Sequence, residues 1–397
     1  MNLNPIRYLE NTITPFERWF SRFKDKKKMK IGWCGVFPPY ENGGAAVSYY
    51  VVKELLKRDD IEVAVIPVNK KIEKKLFKGV VFCSIDDPAL DVVIFSCLGH
   101  EFKKYALNTK AKKVAWQTIH YDPLVKAEEE QFKDIENADL KIFMTKWAEK
   151  KYKKLYNLKE RVYVPFGVDT NYFRDTSKDL EKKKFQISFV SRAHYKKGIM
   201  PFLHGIPLVV QKCSDCIFYL HSPLDKFSPY FEEIEKKVQE MKKKYLNNFF
   251  VTNSWVPYSE MKKVYENSSI LIFPSNNEGF GIPIIEAMSS GIPCIVSDVP
   301  PLNELVNNSV GFCLKQKKAE KYHNIAFPSP EDIAEKILVL RANPQIYAAM
   351  QERSRARVKK EYELKNCVDL LVHQAKGLCE KKSNSRKKNT ETKASTA

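Results

Sequence analysis

The chain has 397 residues, 44% of them hydrophobic and 12% aromatic, which is ample apolar material for folded cores and more length than one ordinary core uses; two domains are therefore expected. No stretch approaches the roughly 18 uncharged apolar residues that a membrane-spanning helix needs, which leaves a soluble or peripheral protein. The formal charge of +19 raises polyanions as partners, yet much of the excess is terminal, with eight Lys or Arg against three Asp or Glu in residues 1–30 and six against two in residues 380–397.

Elsewhere the basic excess is spread over lysine pairs on helical faces without interleaved aromatics, so no specific nucleic-acid surface is expected. Residues 1–28 read as a basic amphipathic extension. Thr14-Pro15 suits a helix start, and Phe16, Trp19, Phe20 and Phe23 recur at three- and four-residue spacing beside Arg18, Arg22 and Lys24. Such a stripe either docks on the protein's own domain or, through residues 14–30, lies on an anionic membrane surface.

The first strand begins at Met29, and residues 45–58 carry a helical pattern. Apolar runs follow at 61–66, 79–83, 91–97, 113–120 and 140–144, separated by helical stretches, an alternation that argues for a parallel α/β sheet. A last short strand at 161–165 closes an N-terminal domain of residues 29–178, and the charged stretch 174–184 reads as the linker. A second alternating set at 185–190, 216–220, 249–252, 270–273 and 294–297 gives a second Rossmann-like domain over residues 185–361. The chain is helical from 330 onward, and the polar tail 380–397 is expected to be disordered. Nine cysteines are scattered through apolar runs with no secretory signal ahead of them, which fits a reducing cytoplasm. Cys213 and Cys216 form a lone C-x-x-C with no second pair at zinc-ribbon spacing, so they read as plain thiols.

The segment richest in chemistry is Glu278-Gly-Phe-Gly-Ile-Pro-Ile-Ile-Glu286. Pro283 has its φ preset and lacks an N–H, so it suits the first turn of a helix, and Gly291 suits the helix end. Gly279 and Gly281 allow close backbone approach, which aims a helix N-terminus at something anionic or rich in hydroxyls. Two carboxylates, one in the loop and one a turn into the helix, face one pocket and can accept from vicinal diols.

This segment resembles the E-x7-E signature of retaining, family-4-type (group 1) glycosyltransferases, with Pro274-Ser-Asn-Asn as its usual lead-in. The Gly43-Gly44 loop, the Pro165-Phe-Gly-Val-Asp169 turn with Tyr172-Phe173, the loop from Arg192 to Lys197-Gly198, and Glu304-Leu-Val306 match the same family in the same order, together spanning about residues 29–378. The resemblance implies an α/β fold of GT-B architecture, with two Rossmann-like domains facing a central cleft. It also implies that a final helix, residues 362–378, crosses back to the N-terminal domain.

It further implies a retaining transfer of a hexose from a nucleoside-diphosphate sugar to a hydroxyl of a glycan or lipid-linked acceptor. Arg192 and Lys197 would hold the diphosphate, with Lys196 as the competing neighbour. Gly43 and Gly44 would offer backbone donors from the opposite wall. His120 would lie near the transferred sugar, with His100 as a rival. Glu278 would contact sugar hydroxyls, the N–H groups around Phe280, Gly281 and Ile282 would bind sugar or phosphate oxygens, and Glu286 would hold the ribose diol. No metal or other cofactor is expected, because cationic side chains stand where other transferases place a divalent ion and Asp86-Asp87 lacks D-x-D spacing. The chain departs from the family at Leu220-His221-Ser222 and Thr252-Asn253-Ser254, where a glycine is common, and at Pro300-Pro301 ahead of Glu304. Donor sugar, base and acceptor stay open. The alternatives are another GT-B enzyme, an epimerase or phosphorylase, and a polyanion- or membrane-binding protein on an inactive GT-B fold.

Overall fold

In a computed structural model of the chain, the described residues are 28–39, 42–99, 101–120, 127–157, 163–176, 184–224, 226, 228–318 and 325–394, without the side chains of 127, 128 and 381–394. The N-terminal extension, His100 and the linker segment 177–183 lie outside them.

The alternating apolar runs form two six-stranded, all-parallel sheets. The first is built from β1 (Met29–Gly35), β2 (Ile61–Pro67), β3 (Val81–Phe82), β4 (Val92–Ser96), β5 (Lys112–Gln117) and β6 (Leu140–Phe143), in the order β3-β2-β1-β4-β5-β6. The second holds β7 (Gln186–Val190), β8 (Ile217–His221), β9 (Phe249–Thr252), β10 (Ile270–Phe273), β11 (Cys294–Ser297) and β12 (Gly311–Leu314), ordered β12-β11-β10-β7-β8-β9. Central strands are apolar on both faces because helices cover both; every residue of β4, β7, β10 and β11 is buried.

Chain order reverses between β1 and β4 in one sheet and between β7 and β10 in the other. Crevices open at the carboxyl ends of strands at such points. The loops leaving β1, β7 and β10 carry Gly43-Gly44, Arg192 with Lys197, and Glu278 to Ile282, so topology alone gathers these segments.

Two expectations need correction. The strand expected at 161–165 is reduced, among the described residues, to an isolated bridge between Phe143 and Tyr163. The second sheet also gains β12, and an antiparallel pair of two-residue strands, β13 (Lys317–Lys318) and β14 (Ala326–Phe327), follows it. β12 is four residues long, too short for its periodicity to declare it.

The last helix, Leu364–Ala394, packs on the helix Gly43–Leu55 and buries Val368, Leu371, Val372 and Ala375. Arg58 pairs with Asp369, and Lys376 with Asp60 at 2.7 Å. Its backbone continues as helix through the stretch expected to be disordered, as far as Ala394, in a sequence free of proline and with no glycine after Gly377. At the crossing, Val168 N–H donates to Tyr362 O and Leu364 N–H to Val168 O, and a Cβ on Gly167 would lie 2.6 Å from Leu364 Cα. Only a glycine allows that approach.

Glu304 makes a second junction. Its carboxylate accepts from the backbone N–H groups of Lys146, at 2.9 Å, and Trp147, the first residues of the helix Lys146–Tyr156. A carboxylate from the second domain thus caps a helix of the first, where the dipole favours negative charge.

Candidate active site

The two sheets face one cleft of about 440 Å³. All ten residues singled out from the sequence line it: Gly43, Gly44, His120, Arg192, Lys197, Glu278, Phe280, Gly281, Ile282 and Glu286. They arrive on loops at the carboxyl ends of β5, β7 and β10 and on the first turns of the helices Gly43–Leu55 and Ile282–Ser289.

The cation and the loop carboxylate meet. Lys197 Nζ lies 2.7 Å from Glu278 Oε1 and also donates to Asn277 O at 3.1 Å, with both charged side chains largely buried. The sequence reading placed Lys197 with Arg192 on a diphosphate and Glu278 on a sugar, and did not foresee this pair. Arg192 is exposed at the cleft. Gly198, next in the chain, has φ 74° and a Cβ position only 2.2 Å from Pro274 O, so a glycine is what lets the β7 and β10 loops pack together.

The helix Ile282–Ser289 starts as the sequence suggests, with Gly281 at its N-cap in the left-handed region at φ 105° and a proline in the first turn. Gly279 has another role than backbone approach to a ligand: a Cβ there would sit 2.8 Å from Thr118 Cβ and 3.0 Å from His120 Nε2. It admits the N-terminal domain. The Phe280 ring is buried in the same seam, edge-on to Phe166 at 6.0 Å and to Tyr362 at 6.3 Å. Facing it, Asn42 caps the helix Gly43–Leu55 by accepting from Ala45 N–H, and Ile282 Cδ1 comes within 3.8 Å of a Cβ position on Gly43. His120 is exposed, its backbone N–H donating to Gln131 Oε1 at 2.9 Å.

Glu286 lies at the floor, 3% exposed, where Tyr265 Oη donates to its Oε2 at 2.8 Å. Burial pushes its carboxyl up to about 8, against the hydrogen bond from Tyr265 that pulls it down. A carboxyl in that state both donates to and accepts from hydroxyl groups.

Sequence reasoning missed Tyr49, Tyr50, Tyr258 and Tyr265, and named Tyr172 only as part of a motif. Tyr258 stacks on Tyr49 at 5.7 Å and donates to Asn42 O at 3.0 Å, while the hydroxyls of Tyr50 and Tyr172 donate to Tyr258 O. This clamp ties the second domain to the helix whose N-terminus faces the cleft. No local motif marks it, because its members are scattered from Tyr49 to Tyr265. Cys97 was also missed; it lines the cleft in the left-handed region at φ 54°. The three metal-capable side chains grouped among the described residues, Cys213, Asp215 and Cys216, lie at the other end of β8, where Asp215 is paired with Arg341 at 2.6 Å.

Residues 173–357 match the family described as glycosyl transferases group 1. The second domain is a group 1 glycosyltransferase domain. An O-antigen chain mannosyltransferase of Salmonella typhimurium is 49% identical over 53 residues, 13% of this chain and 15% of that protein, so the alignment spans about a seventh of this relative's length. The crystal structure of a glycosyltransferase from Rickettsia africae superposes over 89% of this chain and 99% of that one, at 18% identity and a TM-score of 0.67. An Anabaena protein crystallised with UDP-glucose superposes over 88% and 100%, at 14% identity and a TM-score of 0.66. Such likenesses give the fold, and it is the two-domain GT-B fold.

Proposed function

We propose that the protein transfers a hexose from a nucleoside-diphosphate sugar to a hydroxyl of a glycan or lipid-linked acceptor, with retention at the anomeric carbon and without a metal ion. The observation that carries this reading is the meeting of Lys197 and Glu278 where the β7 and β10 loops join, in a cleft that also holds Arg192 and the buried Glu286. Cations beside carboxylates match a ligand that is a diphosphate at one point and a polyol at its flanks.

In the reaction the bond from the anomeric carbon to the β-phosphate oxygen breaks, and a bond to the acceptor oxygen forms on the same face. Arg192 and Lys197 stabilise charge developing on the departing diphosphate, doing by side chain what a divalent ion does elsewhere. The acceptor proton passes to a phosphate oxygen, and His120 orients hydroxyls rather than removing the proton. Glu278 and Glu286 hold sugar and ribose hydroxyls. Support for the donor class also comes from the Salmonella relative, named a mannosyltransferase, and from the Anabaena neighbour with its bound UDP-glucose.

The test is product analysis with UDP-, GDP- and ADP-hexoses and a mixture of hydroxyl acceptors, with and without a chelator. A retained-configuration glycoside, formed equally with chelator present and lost in Glu286→Ala, is the expected outcome. Inverted product, chelator sensitivity, or sugar released only as a phosphate or an epimer would overturn it.

A further inference from the structure

Burial alternates along β8: Phe218 and Leu220 are fully buried, and Ile217, Tyr219 and His221 share the partly open face. His221 is in register with Val190 on β7 and Thr252 on β9. It therefore stands between the loop that begins Ser191-Arg192 and the loop that carries Ser254, Trp255 and Val256, and all six residues line the cleft.

The imidazole is held in place. It lies against Tyr219 with centroids 4.2 Å apart and planes 15° from parallel, and Tyr219 stacks in turn on Phe250. Thr252 Oγ1 donates to the Tyr219 hydroxyl at 3.4 Å. Within this stack His221 Nδ1 is sealed from solvent and has no hydrogen-bond partner among the described residues. A buried nitrogen left so costs about 1–3 kcal/mol, and a ligand that supplies the partner removes the cost. Burial lowers the imidazole pKa to about 4, so the ring is neutral at physiological pH and one of its nitrogens is an acceptor.

Sheet order says which part of a ligand reaches it. The strands β10, β7, β8 and β9 are consecutive neighbours, and their carboxyl ends carry Glu278, Arg192, His221 and Trp255 in that order. A ligand with its sugar at Glu278 and its diphosphate at Arg192 brings its nucleoside to β8 and β9. We propose that His221 is a nucleobase-recognition residue, its Nδ1 accepting a hydrogen bond from an edge N–H of the donor's base. This rests on the donor-site reading above.

His221→Phe keeps a ring on Tyr219 and deletes the acceptor, whereas His221→Asn sets an amide oxygen near the position of Nδ1. Wild type and both variants are titrated with UDP, GDP, ADP, the matching monophosphates and inorganic pyrophosphate. The expected result is about a tenfold loss of the preferred nucleotide in His221→Phe. The loss should be equal for diphosphate and monophosphate and absent for pyrophosphate, and His221→Asn should recover to within about threefold. A loss confined to UDP identifies a ring N–H as the partner, one confined to ADP an exocyclic amine, and one confined to GDP either of guanine's edge donors. In wild-type protein labelled with 15N-histidine, the His221 Nδ1 resonance should move on adding the nucleotide and stay fixed on adding pyrophosphate. Unchanged nucleotide affinity in His221→Phe with an unmoved resonance overturns the inference and leaves the donor site standing. If wild type binds none of the nucleotides, the donor-site reading falls and the inference with it.

Discussion

Lys197 Nζ and Glu278 Oε1, 81 residues apart in sequence, lie 2.7 Å apart where the β7 and β10 loops meet. Under the proposed function the ammonium serves phosphate and the carboxylate serves sugar hydroxyls, so the pair parts or shares its contacts when a donor binds. Lys197→Met leaves a largely buried carboxylate unpaired, and Glu278→Gln leaves the reverse. Both variants should lose activity by about 10²–10³-fold. Denaturant titration of the single and double variants should give a coupling energy of about 1–3 kcal/mol. Additive effects would mean that the pair does not act as a unit.

Glu286 gives a pH signature. Its carboxyl is near 8 in the folded protein, above the ordinary carboxylate value of 4.5. The folded state therefore holds a proton that the unfolded state has lost between those values. Stability is greatest below about pH 4.5 on this account and falls as pH rises toward 8, by at most about 1.4 kcal/mol per pH unit. Glu286→Gln removes the titration. The stability of that variant relative to wild type, measured by chemical denaturation between pH 5 and 8.5, should rise steadily with pH; a flat difference would show that Glu286 ionises normally.

Gly279 is a tight cross-domain point, with Thr118 Cβ 2.8 Å from its Cβ position. Gly279→Ala drives a methyl against Thr118 Cβ, which should cost about 1–3 kcal/mol and weaken turnover. Thr118→Gly in the same chain should restore most of both. Failure of that rescue, read by melting temperature and kcat/KM, would place the cost elsewhere.

Glu304 caps the helix Lys146–Tyr156 across the domain boundary. Glu304→Ala removes an acceptor from two helix N-terminal amides and should cost about 0.5–2 kcal/mol. Hydrogen exchange should show it, with faster exchange at Lys146 and Trp147 and little change at Ala148, whose N–H is held by Thr145.

Much of this was legible in the chain. Alternating runs give two parallel sheets because helices on both faces demand apolar strands, and Gly281 and Pro283 mark a helix start by backbone chemistry alone. The loops at the reversal points are also where short local signals cluster, so all ten candidate residues fall in one cleft. What escaped depends on distant partners. The Lys197–Glu278 pair, the cap from Glu304 to Lys146 and the tyrosines around Glu286 and Asn42 are brought together only by packing, and no spacing in the sequence encodes them. Gly279 was read as serving a ligand because its neighbour across the cleft, Thr118, is 161 positions away.

Under the proposed function this cleft holds a nucleoside-diphosphate sugar by its diphosphate. Calorimetric titration of wild type, Lys197→Ala and Arg192→Ala with UDP, GDP and ADP tests it most directly. Wild type should bind at least one of them with a Kd on the order of micromolar, and each variant should bind it at least about tenfold more weakly. No binding by wild type, or equal affinity in all three proteins, would contradict it.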